Sequence, residues 1–431
     1  MKAVERPPTP ANAVNEDARV RESPSTTACR SCGCSELTAL LDLGRQPLAN
    51  ALRRKDELGT PEATYPLEVV FCEACSLVQI TESISPEVLF RDYPYFSSVS
   101  PSLVEHARLI AMRMVEERAL GSQSLVMEVA SNDGYLLQHY RDAGVPVLGV
   151  EPARNVAAVA ESRGVPTSCV FFGSETAAEL AADGRRPDVL HANNVLAHVP
   201  DLNGFVAGIA MLLDEKGRAV IEVPYVKALL DKCEFDTIYH EHLCYFSLSA
   251  LEALFRRHGL VVEDVEQVEI HGGSLRVFAG SGSMAERRPS VERLLEEERD
   301  WRVHEPRTYA EFGDRVLRVK EELRALLAGI KEQGLRIAAY GAAAKGSTLL
   351  NTFEIGSETL DFVADASPHK QGYSMPGSEL PIVSPAHLVE SRPDYVLLLA
   401  WNFADEILEQ QKAYRDLGGR FIIPIPEPRI V

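Results

Sequence analysis

Short apolar runs alternate with stretches of helical periodicity from about residue 101 to residue 280, and nothing else in the chain restricts its fold as tightly. The runs cover residues 125–129, 146–150, 188–192, 219–223 and 260–268, and the helical spacing covers 104–119, 135–143, 153–163, 201–213 and 249–258. Runs this short and continuous suit strands buried on both faces. Alternating with helices, they predict an α/β unit with a mostly parallel sheet, which residues 276–280 are placed to close. Ligands of such a sheet sit outside the carboxyl ends of its strands.

The first run ends in Glu128-Val-Ala-Ser-Asn-Asp-Gly134, a turn of small residues between strand and helix. Such a turn lets backbone N–H groups approach a ligand closely. The second run ends in Glu151, at the strand tip where a doubly wound sheet holds a ribose by its hydroxyls. The two together predict a nucleoside-bearing cofactor.

Two polar clusters project from the same edge. One strand runs into Asn193-Asn194 and on to His198; the next leads into an excursion carrying Tyr239-His240-Glu241-His242. The second cluster reads as acid/base machinery that moves a proton. A glutamate beside an imidazole fixes its tautomer and raises its basicity. Extended backbone would put Tyr239 and Glu241 on one face and the two histidines on the other, whereas a turn would let them converge. Spacing does not choose between the two. His271-Gly272-Gly273-Ser274 reads as another loop near this edge.

Cys29-Arg-Ser-Cys32 and Cys72-Glu-Ala-Cys75 are two knuckles with 39 residues between them. Each places two thiolates on one tight turn, and together they predict a tetrahedral Zn²⁺ site. Four cysteine ligands leave no open position, so the metal is expected to be structural. Cys34 is an alternative ligand. Short apolar runs at 37–43 and 65–71 read as the strands that carry the knuckles.

A chain of 431 residues with 45% apolar content is expected to form two or three domains. The net charge of −19 argues against a protein that coats nucleic acid. No apolar run approaches the roughly 18 residues of a membrane span. Residues 1–25 lack the apolar core of a signal peptide and read as a disordered lead-in. Four metal-bound thiols fit a reducing, cytoplasmic setting, and a monomer or weak oligomer is expected.

Past residue 285 a charged helical stretch (292–332) leads into a second, smaller Rossmann-like unit. Its first strand (335–340) is followed by Gly341-Ala-Ala-Ala-Lys-Gly-Ser347 and a helix over 348–353, with further strands at 359–364 and 394–399. This turn offers N–H groups and Lys345 to a phosphate. It is not a Walker loop, in which the lysine follows the second glycine.

These segments resemble the zinc-containing, S-adenosylmethionine-dependent sugar C-methyltransferases that build branched deoxysugars of bacterial natural products. The matching pieces are the two knuckles, Leu43-Gly-Arg-Gln-Pro-Leu-Ala-Asn50, Tyr95-Phe-Ser-Ser-Val-Ser100, Glu128 to Gly134, Gly149-Val-Glu-Pro152, Tyr239 to His242 and Gly341 to Gly346, in one order along nearly the whole chain. The resemblance implies a zinc-binding module and linker (26–100), a class I methyltransferase domain (101–284) and a C-terminal nucleotide-sugar-binding domain (285–431). It implies an acceptor that is a dTDP-linked 4-keto-6-deoxysugar, methylated at carbon 3 after a base removes the adjacent proton. His242 matches the base; Tyr239 and Glu241 match its neighbours, and His198 a residue close to the sugar. Tyr93 and Tyr95 both match a tyrosine that reaches the site from the linker. Glu128, Ala130, Asn132 and Gly134 are implied to line the cofactor turn. Glu151 is implied on the ribose, and Asn193 or Asn194 near the methionine or adenine. Gly341, Lys345, Ser347, His369 and Lys370 are implied on the nucleotide-sugar.

Three other readings compete. Methyl transfer to oxygen or nitrogen would need no carbon acid. A binding module without catalysis would not need the Tyr239/Glu241/His242 set. An NAD oxidoreductase would keep G-x-G-x-x-G, which neither turn has.

Overall fold

The computed structural model describes residues 26–91, 93, 95–282 and 287–431, and at residue 271 the backbone alone. The lead-in expected at 1–25 and the junction expected near Met284 lie outside the described residues. Three sheets organise the chain. In the first, β1 (Leu37–Pro47), β2 (Thr64–Cys72) and β3 (Val78–Ile80) form an antiparallel ladder.

The second sheet has seven strands. β4 (Val126–Val129), β5 (Val147–Val150), β6 (Thr167–Ser168), β7 (Val189–Asn193) and β8 (Arg218–Pro224) run parallel. A short β9 (Cys244–Tyr245) leaves this unit to pair with β3, so the stretch just after Tyr239–His242 is stitched to the cysteine-bearing sheet. β10 (Leu260–Val268) and β11 (Ser274–Ser281) close the second sheet, with β11 antiparallel to both neighbours. The order is β10-β11-β8-β7-β4-β5-β6, so the chain's direction across the sheet reverses at β4. That reversal opens the crevice in which open α/β sheets bind ligands. Every residue of β4, β5 and β7 is buried, which explains their unbroken apolar reading. The two-residue β6, the alanine-rich helix Ser174–Ala182, the helix Val226–Asp231 and β9 escape the sequence pattern.

The charged stretch, which reads as a packing helix pair, is two helices, Pro289–Asp300 and Arg307–Glu332. Along the longer one Tyr309, Phe312, Val316, Val319, Leu323, Leu327 and Ile330 form a buried stripe at three- and four-residue spacing. Each such side chain contributes roughly 1.5–3 kcal/mol when fully buried. Tyr309 meets Phe71 of β2 at 4.8 Å between ring centroids, tying the helix to the cysteine-bearing sheet.

The third sheet is β14-β13-β12-β15-β16-β17. Its strands are β12 (Ile337–Tyr340), β13 (Val363–Ala364), β14 (Ile382–Val383), β15 (Tyr395–Leu398), β16 (Arg420–Ile423) and β17 (Arg429–Ile430), parallel except for β17. After β12, Gly341 adopts φ +96°, and a Cβ there would stand 2.7 Å from that of Ala400. The following helix begins at Ala344, not at Thr348 as the sequence suggests. Gly346 is itself helical, and its bare Cα is needed because a Cβ would lie 2.9 Å from Leu399. Lys345 therefore stands in the first helical turn. Among the described residues no helix is long and apolar enough to cross a membrane.

Candidate active site

A cavity of about 790 Å³ lies where the carboxyl ends of both parallel sheets meet. Ala130 and Asn132 enter it from β4, Glu151 from β5, and Asn193, Asn194 and His198 from β7. Tyr239 and His242 come from the excursion after β8, Tyr93 and Tyr95 from the linker, and Lys345 and Lys370 from the C-terminal unit.

The turn after β4 is wound left-handed at Ala130 (φ +56°), Asn132 (φ +49°) and Gly134 (φ +78°). Non-glycine residues hold such angles at a cost, and clusters of them mark binding sites. The turn is fastened by Glu151, whose carboxylate accepts from the N–H of Asn132 (2.9 Å) and of Ala153 (2.8 Å). Burial raises the Glu151 carboxyl above its usual range, opposed by those two donors. Its remaining lone pairs suit ribose hydroxyls. Asn194 is also left-handed (φ +53°), and its buried Oδ1 has no protein partner among the described residues. Asn132 also holds the linker: its Oδ1 accepts from Ser97 N–H (2.9 Å) and its Nδ2 donates to the Tyr95 carbonyl (3.1 Å). Glu128 and Gly134 stand behind this lining. Glu128 is 1% exposed, and burial holds its carboxyl well above the usual range. Gly134 packs against Val165.

Tyr239 to His242 form a turn closed by His242 N–H on the Tyr239 carbonyl (2.8 Å), so the two side chains converge, with ring centroids 4.1 Å apart. His242 Nδ1 lies 2.7 Å from the Thr237 carbonyl, which only accepts. Nδ1 must therefore carry a proton, and in the neutral ring Nε2 carries the lone pair. Nε2 faces the Tyr239 hydroxyl at 2.9 Å. Burial keeps that phenol well above its usual range and hence neutral. The expectation that Glu241 fixes the His242 tautomer is corrected: Thr237 does so. The turn aims Glu241 elsewhere, and its Oε1 accepts from Asn50 Nδ2 (2.7 Å). Burial pushes the Glu241 carboxyl up to about 7. His198 meets the His242 ring edge-on at 4.7 Å; burial lowers it to about 4, so it adds no charge beside His242. Tyr93 lies within the electrostatic reach of Glu241 and Glu151, and Tyr95 within that of Asp133. Both tyrosines line the cavity, and the Tyr95 carbonyl is tied to Asn132 of the turn after β4. His240 points away, its Nε2 3.1 Å from the Pro66 carbonyl.

On the opposite wall, Lys370 Nζ donates to the Ala342 carbonyl (2.7 Å) and Lys345 Nζ lies 4.8 Å over the Trp401 ring. Three other expected residues do not line the cavity. Gly341 shapes the turn after β12, Ser347 is buried against Asn351 Nδ2 (3.3 Å), and the His369 ring stacks on Phe96 at 6.0 Å.

The sulfurs of Cys29, Cys32, Cys72 and Cys75 all lie within 4.8 Å of one another, with Cys29–Cys75 and Cys32–Cys72 at 3.5 Å. A tetrahedral ZnS₄ centre has sulfur–sulfur edges of about 3.8 Å, so the donor set fits a closed structural zinc. Cys34 is outside the cluster and accepts from the Glu36 N–H.

Three family models match the chain in order: a putative zinc binding domain over residues 29–90, a methyltransferase domain over 104–265 and a C-methyltransferase C-terminal domain over 269–426. The C-methyltransferase NovU of Streptomyces niveus is 42% identical over 405 residues, spanning 94% of this chain and 96% of NovU. The chain belongs to this C-methyltransferase family. It is an S-adenosylmethionine-dependent methyltransferase with a structural zinc module. Among solved structures, an S-adenosylmethionine-dependent methyltransferase from Clostridium acetobutylicum is 12% identical with a TM-score of 0.34, covering 42% of this chain and 92% of its own. The 1,6-didemethyltoxoflavin-N1-methyltransferase of Burkholderia thailandensis is 18% identical with a TM-score of 0.31, covering 42% and 78%.

Several residues of the C-methyltransferase cavity were not legible in advance. Asn50 enters from the zinc module, and Glu234 from the chain before Tyr239. Asp236 accepts from Trp401 Nε1 (2.6 Å), joining the proton-cluster excursion to the third sheet. Asn50 ends a segment already singled out by resemblance, and Asp236 stands close to Tyr239–His242 in the sequence; Glu234 and Trp401 carry no signal before the chain is folded.

Proposed function

We propose that this C-methyltransferase adds a methyl group to carbon 3 of a dTDP-linked 4-keto-6-deoxysugar through a base-generated enolate, in natural-product deoxysugar biosynthesis. The observation that carries the reading is the tautomer of His242. The Thr237 carbonyl claims Nδ1, so Nε2 is the basic nitrogen, and it lies in the same cavity as the cofactor turn. A ketone at carbon 4 makes the carbon-3 proton acidic enough for an imidazole to remove, provided charge on the oxygen is stabilised.

His242 Nε2 takes the proton as the carbon–hydrogen bond breaks, and its electron pair passes into the enolate. For this the Tyr239 hydroxyl, which donates to the single Nε2 lone pair in the resting site, swings its proton away so that the lone pair can take the carbon-3 proton; in the imidazolium Nδ1–H stays on Thr237. Neutral His198 adds no second positive charge to oppose this step. Tyr93, Tyr95 and Asn50 close the site toward the linker and zinc module. Glu151, the left-handed turn and Asn194 would hold S-adenosylmethionine, which supplies an electrophilic methyl group when bound. Lys370 and the N-terminus of the helix from Ala344 would meet the acceptor's diphosphate.

His242→Asn tests the reading. It is expected to bind S-adenosylmethionine within about twofold of wild type and to lose turnover by roughly 10²–10⁴-fold. Near-normal turnover would remove His242 from the role of base.

A further inference from the structure

Glu234 and Lys345 on the cavity wall, with Asp236 and Trp401 outside the lining, form a cluster that the proton transfer does not use. Glu234 is 3% exposed and lines the cavity, and its Oε1 has no hydrogen-bond partner among the described residues. Its carboxylate rests against Gly272 (φ +93°), where a Cβ would overlap it, which gives the His271-Gly272-Gly273-Ser274 loop a structural reason. Lys345 Nζ is also buried and also lacks a hydrogen-bond partner. Trp401 organises the group, with its ring face under Lys345 (4.8 Å) and its Nε1 donating to Asp236 (2.6 Å). Burial pushes Glu234 up to about 7 and Asp236 up to about 6, and Lys345 opposes both rises. Glu234 and Lys345 thus line the same cavity with Oε1 and Nζ unbonded among the described residues, and Asp236 Oδ1, off the lining, is unbonded as well.

We propose that Glu234 and Lys345 read a hydroxyl group of the acceptor, the hydroxyl donating to Glu234 and accepting from Lys345. This rests on the nucleotide-sugar reading above and deepens it. An ammonium group has no lone pair with which to accept from Lys345. A phosphate would set a further anion beside Glu234 and Asp236, which leaves Lys370 the better placed of the two lysines for the diphosphate. A hydroxyl satisfies both orphan groups and adds no charge. Sites built to hydrogen-bond a hydroxyl discriminate strongly against analogues that lack it, because the buried partners are left unpaired. The acceptor is therefore hydroxylated, not aminated, at the ring position that reaches this pair.

The test is calorimetric binding to the zinc-loaded full chain of dTDP-linked 4-keto-6-deoxysugars carrying a hydroxyl, a hydrogen or an amine at carbon 2 or carbon 3, with dTDP alone as a reference. Removal of one hydroxyl is expected to weaken binding about 10- to 100-fold. That ratio should shrink in Lys345→Met and in Glu234→Gln, both close in shape to the native residues, while binding of dTDP stays near wild type. The inference is overturned if the amino sugar binds as tightly as the hydroxylated one. It is also overturned if both variants keep the wild-type ratio, or if Lys345→Met weakens dTDP as much as it weakens the sugars. If dTDP binds but none of the sugars binds more tightly, the acceptor reading itself fails, and this inference with it.

Discussion

Glu241 stores a stability cost that a single amide removes. The residue is 4% exposed, Asn50 Nδ2 is the one hydrogen-bond donor to its carboxyl among the described residues, and burial raises it from 4.5 to about 7. A carboxyl raised in the fold destabilises it wherever it is ionised. The cost is absent below about pH 4.5, grows as pH rises and is complete above about pH 7, where it amounts to about 3 kcal/mol. Glu241→Gln keeps an oxygen for Asn50 and removes the charge. Its new NH₂ needs an acceptor, which offsets about 1 kcal/mol. The variant should therefore be more stable than wild type by about 2 kcal/mol at pH 8. The gap should narrow by about 1 kcal/mol at pH 6, where the native carboxyl is largely protonated. Paired urea denaturation curves at the two pH values measure this, and turnover should fall in the same variant. A variant no more stable at pH 8, or a gap indifferent to pH, would refute the reasoning.

Two further outcomes follow from the geometry. Cys72→Ser should lose zinc, measured by atomic absorption, and should lose turnover as well as stability, because β3 holds β9 and the Ile80 N–H donates to the Leu243 carbonyl (3.0 Å) one residue past His242. Tyr239→Phe should lower kcat by roughly 10- to 100-fold with little change in S-adenosylmethionine affinity, since only the hydroxyl on Nε2 is lost; an unchanged kcat would exclude the Tyr239 hydroxyl from the proton transfer.

The sequence carries most of this fold because the central strands are buried on both faces, so their apolar runs stand out; β10 was read to the residue. β6, with two half-buried residues, leaves no such trace. The four cysteines announce themselves by spacing, and the turn after β4 by its small residues. The rest of the site depends on contacts between distant segments. Asn50 and Glu241 meet across 191 positions and Trp401 and Asp236 across 165, distances over which no local pattern reports. The Tyr239–His242 pair lay between: the residues were evident, but only the folded turn shows that Thr237, not Glu241, sets the tautomer.

The central claim is that the chain makes a carbanion next to a ketone and methylates it. Mass spectrometry of wild-type protein incubated with S-adenosylmethionine and dTDP-linked 4-keto-6-deoxysugars, in water and in D₂O, tests it directly. The account predicts one added methyl on carbon 3, with deuterium entering carbon 3 when S-adenosylmethionine is withheld. A methyl found on oxygen or nitrogen, with no exchange at carbon 3, would contradict it.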